Sequence, residues 1–224
     1  MKILAVADEE NDVLWNYFKP KMVKDIDLVV SCGDLDREYL DFLVTMVRKP
    51  LLYIKGNHDL RYLNDPPAGC FNIEDKIYDY NGVRFLGLGG SLRYKDGECM
   101  YTEEEMQKRI KKLRMALKVM GGFDVLVTHA PLRHYGDRED LPHRGFECFE
   151  ELLNEYNPKY MLYGHVHERY GDFTRVIEHP SGTSLVNCCD RQEIDIEPSG
   201  YKHTYFSERY QKKVWKNLMP SDEE

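Results

Sequence analysis

Short blocks of aspartate, asparagine and histidine occur at the carboxyl ends of five predicted strands in this 224-residue chain. Carboxylate and amide oxygens suit hard divalent cations, and imidazole nitrogens suit iron, zinc and nickel. In an open α/β sheet a ligand binds beyond the carboxyl ends of the strands, so side chains from separate strands converge there. The pattern therefore predicts a site for two divalent ions, which a carboxylate such as Asp34 can bridge. The five blocks are Asp8, Gly33-Asp34, Gly56-Asn57-His58-Asp59, His129-Ala130-Pro131 and Gly164-His165-Val166-His167.

Each block also has an ordinary structural interpretation. Taken alone, Asp8 fits a helix cap and Asp34 fits a turn. His129 and His165 fit hydrogen-bonded core histidines, the common case for a lone histidine. The block at 56–59 fits a simple turn. These interpretations together require the same coincidence at five strand ends, so we favour one shared site.

The segments that position the blocks alternate between strand and helix patterns in the first half of the chain. This β-α-β-α-β order predicts an α/β fold with parallel strands. The strands are predicted at 2–7, 26–31 and 51–54, and the helices at 12–18 and 38–48.

The second half continues the alternation and then becomes β-rich. Thr102 and Glu105 form a capping box, which begins a helix that runs to about Met120 and ends at Gly121-Gly122. A second helix is predicted at 146–156. The strands are predicted at 83–88, 125–128, 160–163, 173–177, 184–188 and 193–196.

The composition excludes several classes of protein. A net charge of −8 and a pI of about 5.5 give no general attraction for nucleic acid or anionic membranes. No apolar run reaches the ~18 residues of a membrane-spanning helix, and the N-terminal run is too short for a signal peptide. We expect one cytoplasmic domain over residues 1–224, with a polar tail from about residue 201 that frays at its acidic end. Assembly into a homo-oligomer is left open.

The six cysteines form neither a Cys-x-x-Cys pair nor a regular framework. Several lie in apolar surroundings, which favours reduced and mostly buried thiols. They are Cys32, Cys70, Cys99, Cys148, Cys188 and Cys189.

Taken together, the five blocks resemble the signature of the calcineurin-like metallophosphoesterase superfamily, over residues 3 to about 190. The Gly-Asn-His-Asp and Gly-His-Val-His blocks are the most specific parts of the resemblance. It implies a four-layer α/β/β/α metallophosphoesterase sandwich of the α/β class. It also implies hydrolysis of phosphate mono- or diesters by two divalent ions (manganese, iron, zinc or nickel) and a bridging hydroxide.

The resemblance also assigns roles to individual residues. His58 would contact the phosphate and protonate the leaving oxygen, and Asp59 would orient His58. The family usually has Asp-x-His where this chain has Asp8-Glu9-Glu10, so a carboxylate stands in place of an imidazole. Glu10 either binds the first ion or leaves that position weaker. The first ion would take Asp8, Asp34 and His167, and the second would take Asp34, Asn57, His129 and His165.

The segment from Leu132 to Gly145 follows directly on His129 and is dense in polar, cationic and aromatic side chains. Loops on a rigid scaffold often carry binding function, so we expect substrate contacts beyond the scissile phosphate. Asp137 and Asp140 would hold the loop in place. A solvated loop that caps the next helix is an equal alternative. The predicted substrate contacts are Arg133, His143 and Arg144.

Three functions compete at this stage. The first is hydrolysis of a small phosphoester, and the second is a non-catalytic scaffold that binds partner proteins. Members that lose catalysis tend to lose the histidine of the Gly-Asn-His block, and His58 is present. The third is a nuclease, for which the basic stretch at 108–118 is the main candidate surface. That stretch follows three glutamates and is more typical of a solvated helix face.

Overall fold

The computed structural model describes residues 1–171 and 173–218. Within these ranges the α-helices are α1 (Asp12–Asn16), α2 (Arg37–Val47), α3 (Glu103–Met120), α4 (Phe149–Tyr156) and α5 (Tyr205–Leu218). The strands are β1 (Lys2–Ala7), β2 (Leu28–Ser31), β3 (Leu51–Tyr53), β4 (Phe71–Asn72), β5 (Ile77–Tyr80), β6 (Val83–Leu88), β7 (Ser91–Leu92), β8 (Met100–Tyr101), β9 (Val125–Thr128), β10 (Tyr160–Tyr163), β11 (Val176–Glu178), β12 (Ser184–Asn187) and β13 (Asp190–Asp195).

Most strands belong to two mixed sheets. The first has the order β13-β1-β2-β3-β4, in which only β13 is antiparallel to its neighbour. The second has the order β11-β12-β10-β9-β6-β5, with four parallel strands between antiparallel edges. The parallel strands of each sheet therefore end at a common edge, where the predicted metal ligands follow them.

Alternating side chains place each sheet between two apolar cores, as the two-residue period of a strand requires. In β1, Ile3 and Ala5 face a core shared by the two sheets, whereas Leu4 and Val6 pack with α1 and α2. The outer face of the second sheet packs against α3 and α4. The layers are therefore helix, sheet, sheet and helix, which confirms the predicted four-layer sandwich.

Helix α3 begins and ends as its sequence predicts. The Thr102 hydroxyl accepts the Glu105 N–H at 3.2 Å, and the Glu105 carboxylate accepts the Thr102 N–H at 2.8 Å. Gly121 ends the helix in the left-handed region, at φ 62°, which glycine adopts without steric cost.

Two differences from the predicted helices lie after residue 140. Helix α4 begins three residues later than predicted, because Phe146 instead bridges Leu132 and fixes the end of the preceding loop. The polar segment after residue 201 contains α5, whose Val214 and Leu218 enter the core between the sheets. The predicted frayed end at 219–224 lies outside the described residues. Among the helices described, none is long and apolar enough to cross a bilayer.

Candidate metal centre

Backbone contacts bring the carboxyl ends of the two sheets together. The Asp8 N–H donates to the Gly33 carbonyl at 3.1 Å, which joins the ends of β1 and β2. The His165 N–H lies 2.9 Å from both Asp8 carboxylate oxygens, so a hydrogen bond crosses from the second sheet to the first. The predicted ligands from both sheets therefore share one edge of the sandwich.

Three of the predicted ligands have left-handed backbone conformations, with φ of 62° at Asp8, 56° at Asp34 and 70° at His165. Such angles are uncommon for residues other than glycine and cluster at functional sites. The chain is also unusually close at Gly56, where an added Cβ would stand 2.1 Å from Asp34 Oδ1. A side chain at position 56 would therefore displace the Asp34 carboxylate.

His129 is at the centre of the best-formed group of ligand atoms. Its Nε2 lies 3.2 Å from Asp34 Oδ2, 3.0 Å from Asn57 Oδ1 and 3.1 Å from His165 Nδ1. Its Nδ1 lies 2.9 Å from the Cys32 carbonyl, a contact in which Nδ1–H donates. An imidazole with oxygens at both nitrogens needs a positive charge, which a proton or a metal ion supplies. Such carbonyl contacts orient metal-binding histidines.

The pKa values of the two histidines in this group shift in opposite directions. Burial lowers the pKa of His129, but the Asp34 carboxylate and its hydrogen bond outweigh burial and raise the pKa to about 10. Burial and the nearby His129 lower the pKa of His165 to about 3. The His165 Nε2 lies 2.6 Å from the Pro142 carbonyl, so Nε2 carries the proton and Nδ1 offers its lone pair to the group. Asp34, Asn57, His129 and His165 thus fit a divalent ion.

The first predicted position is less complete. The Asp8 side chain is buried, and its Oδ1 lies 3.9 Å from His167 Nε2. The other ring nitrogen of His167 lies 2.9 Å from Glu9 Oε1. Glu10 is exposed, and burial and the neighbouring Asp36 raise its pKa. Glu10 joins neither group of metal-binding side chains that the described residues form.

The buried carboxyl groups carry opposing pKa shifts. Burial raises the pKa of Asp8 to about 7, and burial with the Asp34 charge raises that of Asp59 to about 7. Burial also raises the pKa of Asp34, but His129 and the His58 N–H lower it to about 2. Three acids crowded in one buried place favour a bound cation.

Asp59 holds the ligand loops together, a role that differs from the predicted one. Its Oδ2 accepts the N–H groups of Asp34 and Gly56, both at 2.8 Å. In the part of the chain that the structure describes, no hydrogen bond joins Asp59 to the His58 ring. His58 is exposed, and its backbone N–H donates to Asp34 Oδ1 at 2.7 Å.

Comparison with known proteins identifies the family of this chain. A model of the calcineurin-like phosphoesterases matches residues 6–169. The chain belongs to this family. It is 26% identical to protein MJ1162 of Methanocaldococcus jannaschii over 84% of this chain and 87% of that protein.

One further relative and one solved structure extend the comparison. The lariat debranching enzyme of Schizosaccharomyces pombe is 24% identical over 73% of this chain and 42% of that enzyme. The crystal structure of TT1561 of Thermus thermophilus has a TM-score of 0.57 at 16% identity, over 84% of this chain and 89% of that chain. The likeness to TT1561 shows the fold alone. The family assignment makes this protein a metal-dependent phosphoesterase.

A cavity of this phosphoesterase opens directly onto the ligand group. Tyr94 and Tyr170 line it, although the sequence analysis singled out neither. The Tyr94 hydroxyl accepts the Asn57 amide N–H at 3.4 Å, and the Tyr170 ring lies 4.8 Å from that of His143. No predicted strand ends beside either tyrosine, so the sequence pattern did not reveal them. The lining residues are Asp34, Asn57, His58, Tyr94, Pro142, His143, His165, His167 and Tyr170.

The loop from Leu132 to Gly145 places only one of its three predicted substrate contacts in the lining of this cavity. His143 lines the cavity, with its ring 5.5 Å from that of His165. Arg133 instead pairs with Asp137 at 2.7 Å and with Glu139 at 2.8 Å. Arg144 donates to the Glu139 carbonyl at 2.8 Å. Both arginines therefore tie the loop to itself.

The two aspartates predicted to hold this loop in place both make contacts within it. Asp137 accepts the backbone N–H groups of His134 and Gly145 in addition to the Arg133 guanidinium. Asp140 Oδ2 lies 2.5 Å from His143 Nδ1, which orients the imidazole.

Proposed function

We propose that this protein hydrolyses a small phosphodiester at the edge shared by its two sheets, with two divalent ions as cofactors. The observation that carries the proposal is the convergence of Asp34, Asn57, His129 and His165 around one point. When bound, the ions neutralise charge on the phosphate and activate the attacking water.

The residues of the chain supply the remaining functions. Asp34 lies against His129 and near the Asp8 charge, which suits a bridging carboxylate. Asp59 holds the Asp34 backbone in its left-handed conformation. The exposed His58 ring at the cavity is suited to donate a proton to the leaving oxygen.

The charge of the cavity favours a diester over a monoester. A diester carries one negative charge, whereas a phosphate monoester carries about 1.5 to 2 near pH 7. The described residues that line the cavity include no lysine or arginine. The ions and the histidines are therefore the main counter-charges, and they match a singly charged ester better.

A nuclease activity is the second candidate, because one relative is named as a lariat debranching enzyme. The net charge of −8 weighs against a long polyanion. The basic side chains of α3 are partly used within the fold, since Arg109 pairs with Asp75 at 2.9 Å. A non-catalytic scaffold is disfavoured, because such a role requires neither His58 nor the ligand group.

The test is hydrolysis by metal-free protein before and after ions are restored. Chelated protein should lose turnover of bis(4-nitrophenyl) phosphate, and added manganese or zinc should restore it. Turnover of 4-nitrophenyl phosphate should be lower under the same conditions. Full activity in protein shown by elemental analysis to be metal-free would overturn the proposal.

A short single-stranded RNA provides the comparison for the second candidate. If cleavage of the RNA exceeds hydrolysis of the small diester at equal concentration, the nuclease is the better description. The variant His129→Ala, which removes the central ligand, should abolish whichever activity is found.

A further inference from the structure

The carboxyl end of a sixth strand brings one more side chain to the metal centre. Cys189 follows β12 by two residues, and β12 runs parallel to β10. Its thiol, the Glu9 carboxylate and a ring nitrogen of His167 all lie within 4.8 Å of one another. This group is separate from the one formed by Asp34, His129 and His165.

The fold holds Cys189 firmly at this place. The Asn187 side chain is buried, donates to the Val166 carbonyl at 2.8 Å and accepts the Cys189 N–H at 2.9 Å. Val166 lies between His165 and His167, so one amide connects the thiol residue to the histidine loop. A β-bridge between Ala7 and Cys189 also places it beside the end of β1.

Apolar packing explains the neighbouring cysteine but not this one. Cys188 belongs to the core between the two sheets, together with β1 and β2 side chains. Cys189 is equally inaccessible, at 2% exposure, but belongs to none of the three apolar cores of the described residues. Its thiol instead lies near a carboxylate and an imidazole, which are metal-binding groups.

Glu9, rather than Glu10, lies next to His167. Its Oε1 lies 2.9 Å from His167 Nδ1, whereas Glu10 turns toward Asp36. The Arg169 guanidinium lies 4.0 Å from Glu9 and is mostly exposed. An exposed pair at that distance contributes little, so the Glu9 carboxylate is available to an ion.

We propose that Glu9, His167 and Cys189 hold the first divalent ion beside Asp8, with Cys189 in place of the missing imidazole. The inference rests on the proposed function and specifies one of its two ions. Cys189 binds as a thiolate and releases its proton to solvent. Thiolate ligands favour zinc or iron over manganese, so this position differs in metal preference from the all-nitrogen-and-oxygen position at His129.

The dimensions of the group are compatible with such an ion. Zinc binds sulfur at about 2.3 Å and nitrogen at about 2.0–2.1 Å, which separates tetrahedral ligand atoms by roughly 3.3–3.8 Å. The ligand atoms of the three side chains lie within 4.8 Å of one another, so no pair needs to close by more than roughly 1–1.5 Å.

Cobalt substitution of the 224-residue chain tests the proposal without measuring activity. Metal-free protein is titrated with cobalt(II) chloride, and absorption in the near ultraviolet reports thiolate-to-cobalt charge transfer. We expect two cobalt ions per chain and one charge-transfer band. Cys189→Ser should lose the band, whereas Cys188→Ser, a change of the adjacent buried thiol, should keep it.

A matched pair of carboxylate variants protects the test against misfolding. Glu9→Gln, at a partly exposed residue, should keep the fold and weaken cobalt affinity at the first position by roughly 10–100-fold. Glu10→Gln should bind cobalt as the wild type does. If Glu9→Gln and Glu10→Gln are alike, Glu9 is not part of the site and the proposal fails.

The outcomes separate the failure of this inference from that of the function. Two bound cobalt ions with no charge-transfer band would overturn ligation by Cys189 and leave the two-metal hydrolase intact. A band that survives Cys189→Ser in folded protein would do the same. Failure of the wild type to bind any cobalt, manganese or zinc would overturn both proposals.

Discussion

The His58 ring is exposed at the cavity, while its backbone N–H is tied to Asp34 at 2.7 Å. The main chain is therefore part of the ligand framework, and the ring is available to a bound ester. We expect His58→Ala to retain its metal and to lose turnover by roughly 10²–10⁴-fold, as for removal of a general acid. Esters with good leaving groups should lose less, because they need little protonation.

A series of aryl diesters with different leaving-group pKa values measures this effect, and elemental analysis measures the metal. His203→Ala, a change of an exposed histidine on the segment before α5, is the control and should change neither quantity. An equal loss for every leaving group would rule out proton donation and leave His58 as a phosphate-positioning residue.

Some features of single residues at the site could be predicted from the sequence, and others could not. The positions of Asp34 and His129 follow from strand ends, because parallel strands must finish at one edge. The contact of His167 with Glu9 rather than Glu10 could not be predicted from the strand ends, because it depends on the left-handed turn at Asp8. The contacts of the Asp59 carboxylate could not be predicted either, because they are made with backbone N–H groups, and no pattern of residue types indicates such contacts.

At the scale of elements, the loop from Leu132 to Gly145 combines two roles. His143 lines the cavity beside Tyr170, whereas Arg133 is held by Asp137 and Glu139. We expect His143→Ala to change KM or substrate preference while the protein keeps its metal and its thermal stability. Arg133→Ala should instead loosen the loop, because it removes two charge-assisted hydrogen bonds.

Steady-state kinetics on several phosphoesters and amide hydrogen exchange of the loop distinguish the two variants. Unchanged kinetics for His143→Ala, together with increased exchange for Arg133→Ala, would show that the loop is only structural.

Helix α5 protects an edge of the second sheet. The Gln211 side chain accepts the Asp79 N–H and donates to the Ile77 carbonyl, both at 2.9 Å, so it pairs backbone groups of edge strand β5. We expect Gln211→Ala to lower the free energy of unfolding by about 1–3 kcal/mol, because these groups lose their partners.

Chemical denaturation of the metal-free protein measures this loss. Lys213→Ala, on an exposed position of the same helix, is the control and should change stability by no more than about 0.5 kcal/mol. A Gln211→Ala variant as stable as the control would show that water replaces the amide at this edge.

The same helix explains why the elements were only partly predicted. Long apolar or capped segments such as β1, β2 and α3 carry their own periodic signal. Helix α5 buries only Ser207, Val214 and Leu218, so its sequence appears polar and resembles a tail. Strands β4 and β5 are short, and their pairing depends on neighbours distant in sequence.

At the scale of the whole molecule, the metal centre is a junction between the two sheets. Asp8, Asp34 and Asn57 follow strands of the first sheet, and His129 and His165 follow strands of the second. Bound ions therefore add cross-links between layers that otherwise meet through an apolar core. Loss of the ions should therefore lower the stability of the whole fold as well as the catalytic activity.

We therefore expect divalent ions to stabilise the protein against unfolding. A ligand that binds only the folded state contributes about 2.7 kcal/mol at 100 times its Kd, which corresponds to roughly 5–10 °C in Tm for a domain of this size. The ions also relieve repulsion among the buried acids Asp8, Asp34 and Asp59. Thermal unfolding of metal-free protein at increasing manganese or zinc concentration measures the shift. Asp34→Asn, which removes a ligand of the second ion and the bridging carboxylate, should show a smaller rise of Tm with metal than the wild type, whereas Glu104→Gln, an exposed change on α3, should respond as the wild type does. A metal-dependent Tm that Asp34→Asn fully retains would place the stabilising ions elsewhere on the protein.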